Sequence, residues 1–355
     1  MFDTSERPLV LIWEVTQACG LACDHCRADA EPGRHPDELS TAEGRALLDE
    51  AREFGRGQLV VLSGGDPLKR PDLVDLVGYG TDIGLRMSLT PSGTTSLSAA
   101  RIGDLADAGL SRMALSIDGG TPAAHDGFRG EAGSFVDTLR AARDADRAGV
   151  GLQVNTTVCA DTVDELPAIR ELVADLGADR WSVFFLVPVG RGRLLDPVSP
   201  ERADAVMTWL HDVRDAASFD VKTTEAPQFR RVGAECRGDA VEGPPGRPSV
   251  LAGDGFAFVS HVGEVYPSGF LPKSAGNVRD ESLVDLYRDS PLFTALRDRS
   301  NLTGKCGVCP YRDRCGGSRS RAYAHTGDPF GSDPLCPYVP EGWGGSETSP
   351  ESTAD

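Results

Sequence analysis

Leu9-Val10-Leu11-Ile12-Trp13-Glu14-Val15, followed by Cys19-Gly20-Leu21-Ala22-Cys23-Asp24-His25-Cys26, is the stretch on which the reading of this chain turns. The apolar run predicts a short buried strand. The three cysteines fall in the loop that leaves it, spaced C-x-x-x-C-x-x-C. Three thiolates on one short loop suit three irons of a [4Fe–4S] cluster. No fourth cysteine lies close by, so one iron keeps an open position. An open position separates a working metal site from a structural one. A small ligand for the cluster to act upon is expected there.

Outward from this stretch, short apolar runs alternate with amphipathic ones. Strands are predicted at 9–15, 58–62, 85–89, 112–117, 151–158 and 181–187. Helices are predicted between them. The first starts at the capping-box pattern Ser40-Thr41-Ala42-Glu43 and runs to Phe54. Others lie near 72–79, 98–108, 134–148, 163–176 and 200–217. Repeated β-α units imply a parallel sheet with right-handed crossovers. The number of units predicts an α/β fold, a partial (β/α)6 barrel rather than a full eight-fold one.

Chemistry in such a barrel collects at the carboxyl ends of the strands. Ser63-Gly64-Gly65-Asp66-Pro67, Thr90-Pro91-Ser92-Gly93, Ser116-Ile117-Asp118-Gly119, Asn155-Thr156-Thr157 and Pro188-Val189-Gly190-Arg191 all stand there. The barrel is expected over 1–225 and a Pro/Gly-rich linker or long loop over 226–254. A β-hairpin should open a small cysteine-rich unit at 255–340, with a disordered tail at 341–355.

Over 355 residues the net charge is −18, which excludes nucleic-acid binding through a general basic field. Only four lysines occur, Lys69, Lys222, Lys273 and Lys305. No run spans a bilayer and no signal peptide is evident, so a cytoplasmic enzyme is expected. In a reducing compartment clustered cysteines point to metal, not disulfides. Seven of the nine are clustered, at 19–26 and 306–336. Cys159 and Cys236 read as incidental thiols.

The C-x-x-x-C-x-x-C loop after a first strand resembles the radical S-adenosylmethionine (AdoMet) superfamily. The resemblance implies that Cys19, Cys23 and Cys26 hold a [4Fe–4S] cluster whose open iron binds AdoMet. One electron then yields a 5′-deoxyadenosyl radical that takes hydrogen from an unactivated carbon. Flavodoxin or ferredoxin is the expected reductant. Gly64-Gly65-Asp66-Pro67 resembles the family's G-G-E-P segment, which holds the methionyl ammonium; Asp66 for Glu shortens the reach. Ser116 and Asn155 match positions that contact the ribose or carboxylate of AdoMet. His25 is read as packing, not as a ligand. The alternative for the cysteine loop is zinc, which favours four closed ligands.

Cys306-x-x-Cys309-x5-Cys315, with Cys336, resembles the auxiliary-cluster extension called SPASM, or the shorter twitch domain. Ser268 and Ser318 stand where relatives often have cysteine, leaving four thiolates. These suit one fully ligated auxiliary [4Fe–4S] cluster or a structural zinc. The segments 269–272, 275–279, 309–312, 315–317, 319–324 and 326–328 are similar to the radical enzymes of alternative heme and d-type heme biosynthesis. That resemblance implies oxidative decarboxylation or removal of propionate side chains on an iron tetrapyrrole. Arg191, Arg193, Arg312, Arg319 and Arg321 are candidates to bind the carboxylates; surface pairing with acids is the alternative for each. Maturation of a ribosomally made peptide, and a non-catalytic iron–sulfur carrier or sensor, are the other functions open.

Overall fold

The computed structural model describes residues 2–239 and 250–345. Glu242–Gly246 of the expected linker and the end of the expected tail lie outside the described residues.

Seven parallel strands alternate with helices: β1 (Val10–Thr16), α1 (Thr41–Glu53), β2 (Leu59–Gly64), α2 (Leu73–Asp82), β3 (Arg86–Leu89), α3 (Ala99–Asp107), β4 (Arg112–Ser116), α4 (Pro122–Arg129), α5 (Ser134–Arg147), β5 (Gly151–Val158), α6 (Leu166–Asp175), β6 (Arg180–Phe185), α7 (Pro200–Ala216) and β7 (Asp220–Thr224). Helix α8 (Gln228–Arg237) follows, then β8 (Phe256–Val259) and β9 (Val265–Tyr266). Short helices α9 (Leu283–Asp289), α10 (Pro291–Arg297), α11 (Gly304–Val308) and α12 (Arg319–Thr326) complete the chain. The sheet order is β7-β6-β5-β4-β3-β2-β1-β8-β9. This is the open α/β barrel expected, with its six crossovers.

Alternation along β5 shows how the two faces divide. Leu152, Val154 and Val158 enter the core under the helices, while Gln153, Asn155 and Thr157 are half-exposed on the concave face. The same alternation puts Leu11, Trp13 and Val15 of β1 into the core. At α1 the capping box is present, with Ser40 and Glu43 exchanging bonds, and Arg279 bonds Glu43 at 2.6 Å.

Three departures from the expectations stand out. A further strand, β7, follows the six expected; its polar sequence Asp-Val-Lys-Thr-Thr hides the pattern. Part of the expected linker is helix α8, which buries Gln228, Arg231 and Val232. Its arginines read as exposed, yet Arg231 is bonded to Asp204 and Glu235. The expected hairpin forms, but β8 also pairs in parallel with β1, Val10 opposite Phe256 through Trp13 opposite Val259. The C-terminal unit thus continues the barrel's own sheet and core.

Candidate active site

The loop after β1 brings Cys19, Cys23 and Cys26 together. Cys19 and Cys23 are buried with Leu21, and Cys26 packs against them half-buried. The Cys26 N–H donates to the Cys23 carbonyl at 3.2 Å. Arg191, after β6, fastens the loop from outside: its N–H reaches the Cys26 carbonyl at 3.0 Å and its Nε the Cys23 carbonyl at 2.9 Å. A Cβ on Gly190 would stand 2.4 Å from the Cys26 oxygen, so glycine is required for that approach. The ring of His25 stacks on Phe128 at 4.7 Å and 7°. Burial pushes its pKa down to about 4, so it is a neutral packing group, as expected.

Sequence reasoning missed the charges beneath this loop. Arg129, at the end of α4, lies 2.8 Å from Asp118 and donates to Cys23 Sγ at 3.6 Å. Burial works against the Asp118 charge, but Arg129 together with His25 and the Thr157 N–H outweighs it and holds the carboxyl below its ordinary range. Ser92 Oγ stands 3.5 Å from Cys19 Sγ. Arg27, next to Cys26, pairs with buried Glu14 at 2.5 Å, and His261 Nδ1 lies 2.8 Å from the same carboxylate. The signal for Asp118 was its place at a strand's carboxyl end. For Arg129 there was none, because α4 itself was not foreseen.

Gly64 and Gly65 are required by the protein's own backbone. A Cβ on Gly64, at φ +142°, would lie 2.2 Å from the Thr16 oxygen, and one on Gly65 would lie 2.5 Å from the Ala18 oxygen. The Gly65 and Asp66 N–H groups donate to Thr16 and Ala18 carbonyls at 2.9 and 2.7 Å. This pair thus locks the chain leading into the cysteine loop. The buried Asp66 carboxylate accepts from Leu68 N at 3.2 Å and Ser92 N at 3.3 Å. Burial raises its pKa despite these bonds. Ser116 and Asn155 are direct neighbours across β4 and β5.

The four C-terminal cysteines, Cys306, Cys309, Cys315 and Cys336, line one cavity with Arg231, Tyr311 and Arg312. Gly316 and Gly317 take left-handed backbone at φ +71° and +67°, turning the chain beside Cys315. A Cβ on Gly317 would stand 3.0 Å from Cys306 Sγ. Burial pushes the Cys336 thiol up to about 11 and raises Cys309 and Cys315 as well.

Two of the five candidate arginines are not available to a substrate. All five N–H groups of Arg321 are engaged: Leu186, Phe185 and Glu225 carbonyls at 3.1, 3.1 and 2.7 Å, and both Asp333 oxygens at 3.2 Å. Arg319 binds the Gly317, Pro329 and Gly331 carbonyls and Cys306 Sγ at 3.5 Å. Both are buried clamps. Arg191 serves the cysteine loop, Arg193 is exposed, and Arg312 bonds the Gly307 carbonyl at 3.2 Å beside the cavity.

Buried thiols that resist ionising suit a metal that takes the proton's place. Among the described residues no three Cys, His, Asp or Glu side chains close to the spacing of a single ion. A cubane wants its thiolates spread, one to each iron. Cys19, Cys23 and Cys26 share one loop and the four C-terminal cysteines share one cavity, so each group offers several thiolates from one place.

Comparison with known proteins agrees. Residues 13–173 match the Radical SAM superfamily model. An AdoMet-dependent heme synthase of Oleidesulfovibrio alaskensis is 39% identical, covering 95% of this chain and 89% of its own. Another from Methanosarcina barkeri is 38% identical, covering 96% and 99%. The crystal structure of Streptococcus suis SuiB bound to precursor peptide SuiA matches with TM-score 0.75 at 16% identity, over 94% of this chain and 76% of that one, a likeness of fold. With the cysteine loop placed where the fold puts its chemistry, the chain belongs to the radical SAM superfamily, in the branch that contains the heme synthases, as an enzyme of AdoMet and a [4Fe–4S] cluster.

Proposed function

We propose that this enzyme oxidatively decarboxylates, or otherwise removes, propionate side chains of an iron tetrapyrrole. The observation that carries the reading is the 39% identity to a heme synthase, sustained over 95% of this chain. The likeness to SuiB is one of fold alone and gives the peptide-maturation reading no comparable support.

Cys19, Cys23 and Cys26 would hold the cluster. When bound, cluster and AdoMet supply one-electron cleavage of the sulfonium and so a hydrogen-abstracting radical. The chain's own residues do the rest. Gly64, Gly65 and Arg191 fix the cysteine loop. Asp66, Ser116 and Asn155 are placed to meet AdoMet at the barrel mouth. Cys306, Cys309, Cys315 and Cys336 would hold an auxiliary [4Fe–4S] cluster that takes the electron left by decarboxylation. The enzyme needs a reductant, for which flavodoxin or ferredoxin serves.

Anaerobic incubation of the reconstituted enzyme with iron coproporphyrin, AdoMet and reductant tests this. The expected product has lost carbon dioxide and two hydrogens per side chain converted. Deoxyadenosine formation with the porphyrin mass unchanged overturns the reading.

A further inference from the structure

Lys222 stands in the middle of β7, opposite Ser182 of β6, which is opposite Asn155 of β5, itself opposite Ser116 of β4. Partners in register on parallel strands project from the same face. The positions beside them, Leu115, Val154, Trp181, Val183 and Val221, belong to or pack on the core under the helices. The row Ser116, Asn155, Ser182, Lys222 therefore faces the concave side. Thr224, two residues on, confirms the side, since its hydroxyl meets that of Ser182 at 3.3 Å.

On that face Lys222 has no ion pair or hydrogen bond with any described residue. Burial lowers its pKa to about 8, and the one charge that acts on it, Arg180, pushes the same way. At neutral pH the group is still mostly the ammonium. Among the described residues Arg129 pairs with Asp118, Arg231 with Asp204 and Arg321 with Asp333, while the buried Arg319 is satisfied by carbonyls. Lys222 is half-buried on this face, and a partly desolvated cation without an acid marks a place for an anion. Strands lie about 4.8 Å apart, which sets Lys222 roughly 10 Å across the ladder from Asn155. It lies beyond the positions assigned to AdoMet, on the outermost strand of the barrel.

We propose that Lys222 is a substrate-positioning residue whose ammonium takes a carboxylate of the substrate. The inference rests on the tetrapyrrole reading and deepens it. Of the five arginines first considered for that task, Arg319 and Arg321 are clamps and Arg191 serves the cysteine loop; Lys222 adds a cation on the concave face itself.

The test compares wild type, Lys222→Gln, Lys222→Met and Lys222→Arg. Iron coproporphyrin is titrated by its absorbance, and KM and kcat are measured anaerobically. Loss of a hydrogen bond between charged groups should weaken porphyrin binding about ten-fold or more in the Gln and Met variants. KM should rise more than kcat falls, and Lys222→Arg should recover most of the loss. Iron coproporphyrin tetramethyl ester, which offers no carboxylate, should bind wild type and Lys222→Gln alike. Lys222→Met should keep or raise the thermal midpoint, since it removes a half-buried charge without an acid beside it. Wild type that binds the porphyrin while the Gln and Met variants bind it equally well overturns the assignment alone. A loss that falls on the KM of AdoMet, or equally on the ester, overturns it too. Wild type that neither binds nor converts the porphyrin overturns the tetrapyrrole reading and this assignment with it.

Discussion

The charge beneath the cysteine loop is held by one side chain. Arg129 reaches Asp118 at 2.8 Å and Cys23 Sγ at 3.6 Å; Asp118 is buried and Arg129 nearly so. Burial works against the guanidinium, and Asp118 with Cys23 outweighs it, raising its pKa. Removing one partner of such a pair leaves an uncompensated buried charge, a cost of about 3–5 kcal/mol. Arg129→Met is expected to lose that much in denaturant unfolding. Asp118→Asn keeps an acceptor for the Thr157 N–H, which now bonds Asp118 at 2.6 Å. The double variant should therefore recover much of the loss, a coupling that a double-mutant cycle reads directly. Additive costs in the cycle would show that the pair is not what holds the site.

At the scale of elements, what could be read from sequence was whatever is local. The α1 capping box lies within four residues, and the cysteine spacing lies within one loop; both appear where expected. Strands β1 to β6 alternate strongly enough to be seen. What escaped is fixed by distant partners. Strand β7 is polar because it faces the lumen, and α8 looks like a loop until Asp204 neutralises Arg231. Helix α4 is short, and Gly127 within it obscures its pattern. Its docking depends on His125, which is buried and accepts the Asp118 N–H on Nδ1 at 3.2 Å. Burial, then Arg129, pushes the His125 pKa down to about 4 from 6.5. The unfolded chain thus takes up this proton first as pH falls. The stability from neutral His125 is full above about pH 6.5 and is lost as pH falls to about 4. A shift of that size corresponds to about 3 kcal/mol. His125→Asn, whose side-chain oxygen can replace Nδ1, should flatten the fall in thermal midpoint between those pH values. His25, also pushed down to about 4, leaves part of the slope in place. A variant with the wild-type slope would place the titration elsewhere.

For the whole molecule, the C-terminal cysteine-rich unit is a continuation of the barrel. Strand β8 covers the edge of β1 that β2 leaves open, and β1 leads straight into the cysteine loop. Ala257, Val259, Leu283 and Tyr287 share one core with Trp13 and Leu48. Polar ties cross the same boundary: Arg27 donates to the Gly269 carbonyl at 3.3 Å, His261 meets Glu14 at 2.8 Å, and Leu283 N donates to Glu50 at 2.5 Å. Arg321 joins the end of β6 to Asp333, close to the second cysteine group. Such a boundary does not behave as a linker between independent domains. A chain cut after residue 254 would expose the long apolar edge of β1, which invites pairing with other chains. It would also strip His261 from buried Glu14, leaving Arg27 as its partner. The truncated protein is therefore expected to aggregate, or to fail to bind iron at Cys19, Cys23 and Cys26, although it retains every residue of that loop. Size-exclusion chromatography and iron content after anaerobic reconstitution decide this. A soluble monomer with full cluster absorbance would show that the barrel holds its active loop without the C-terminal unit.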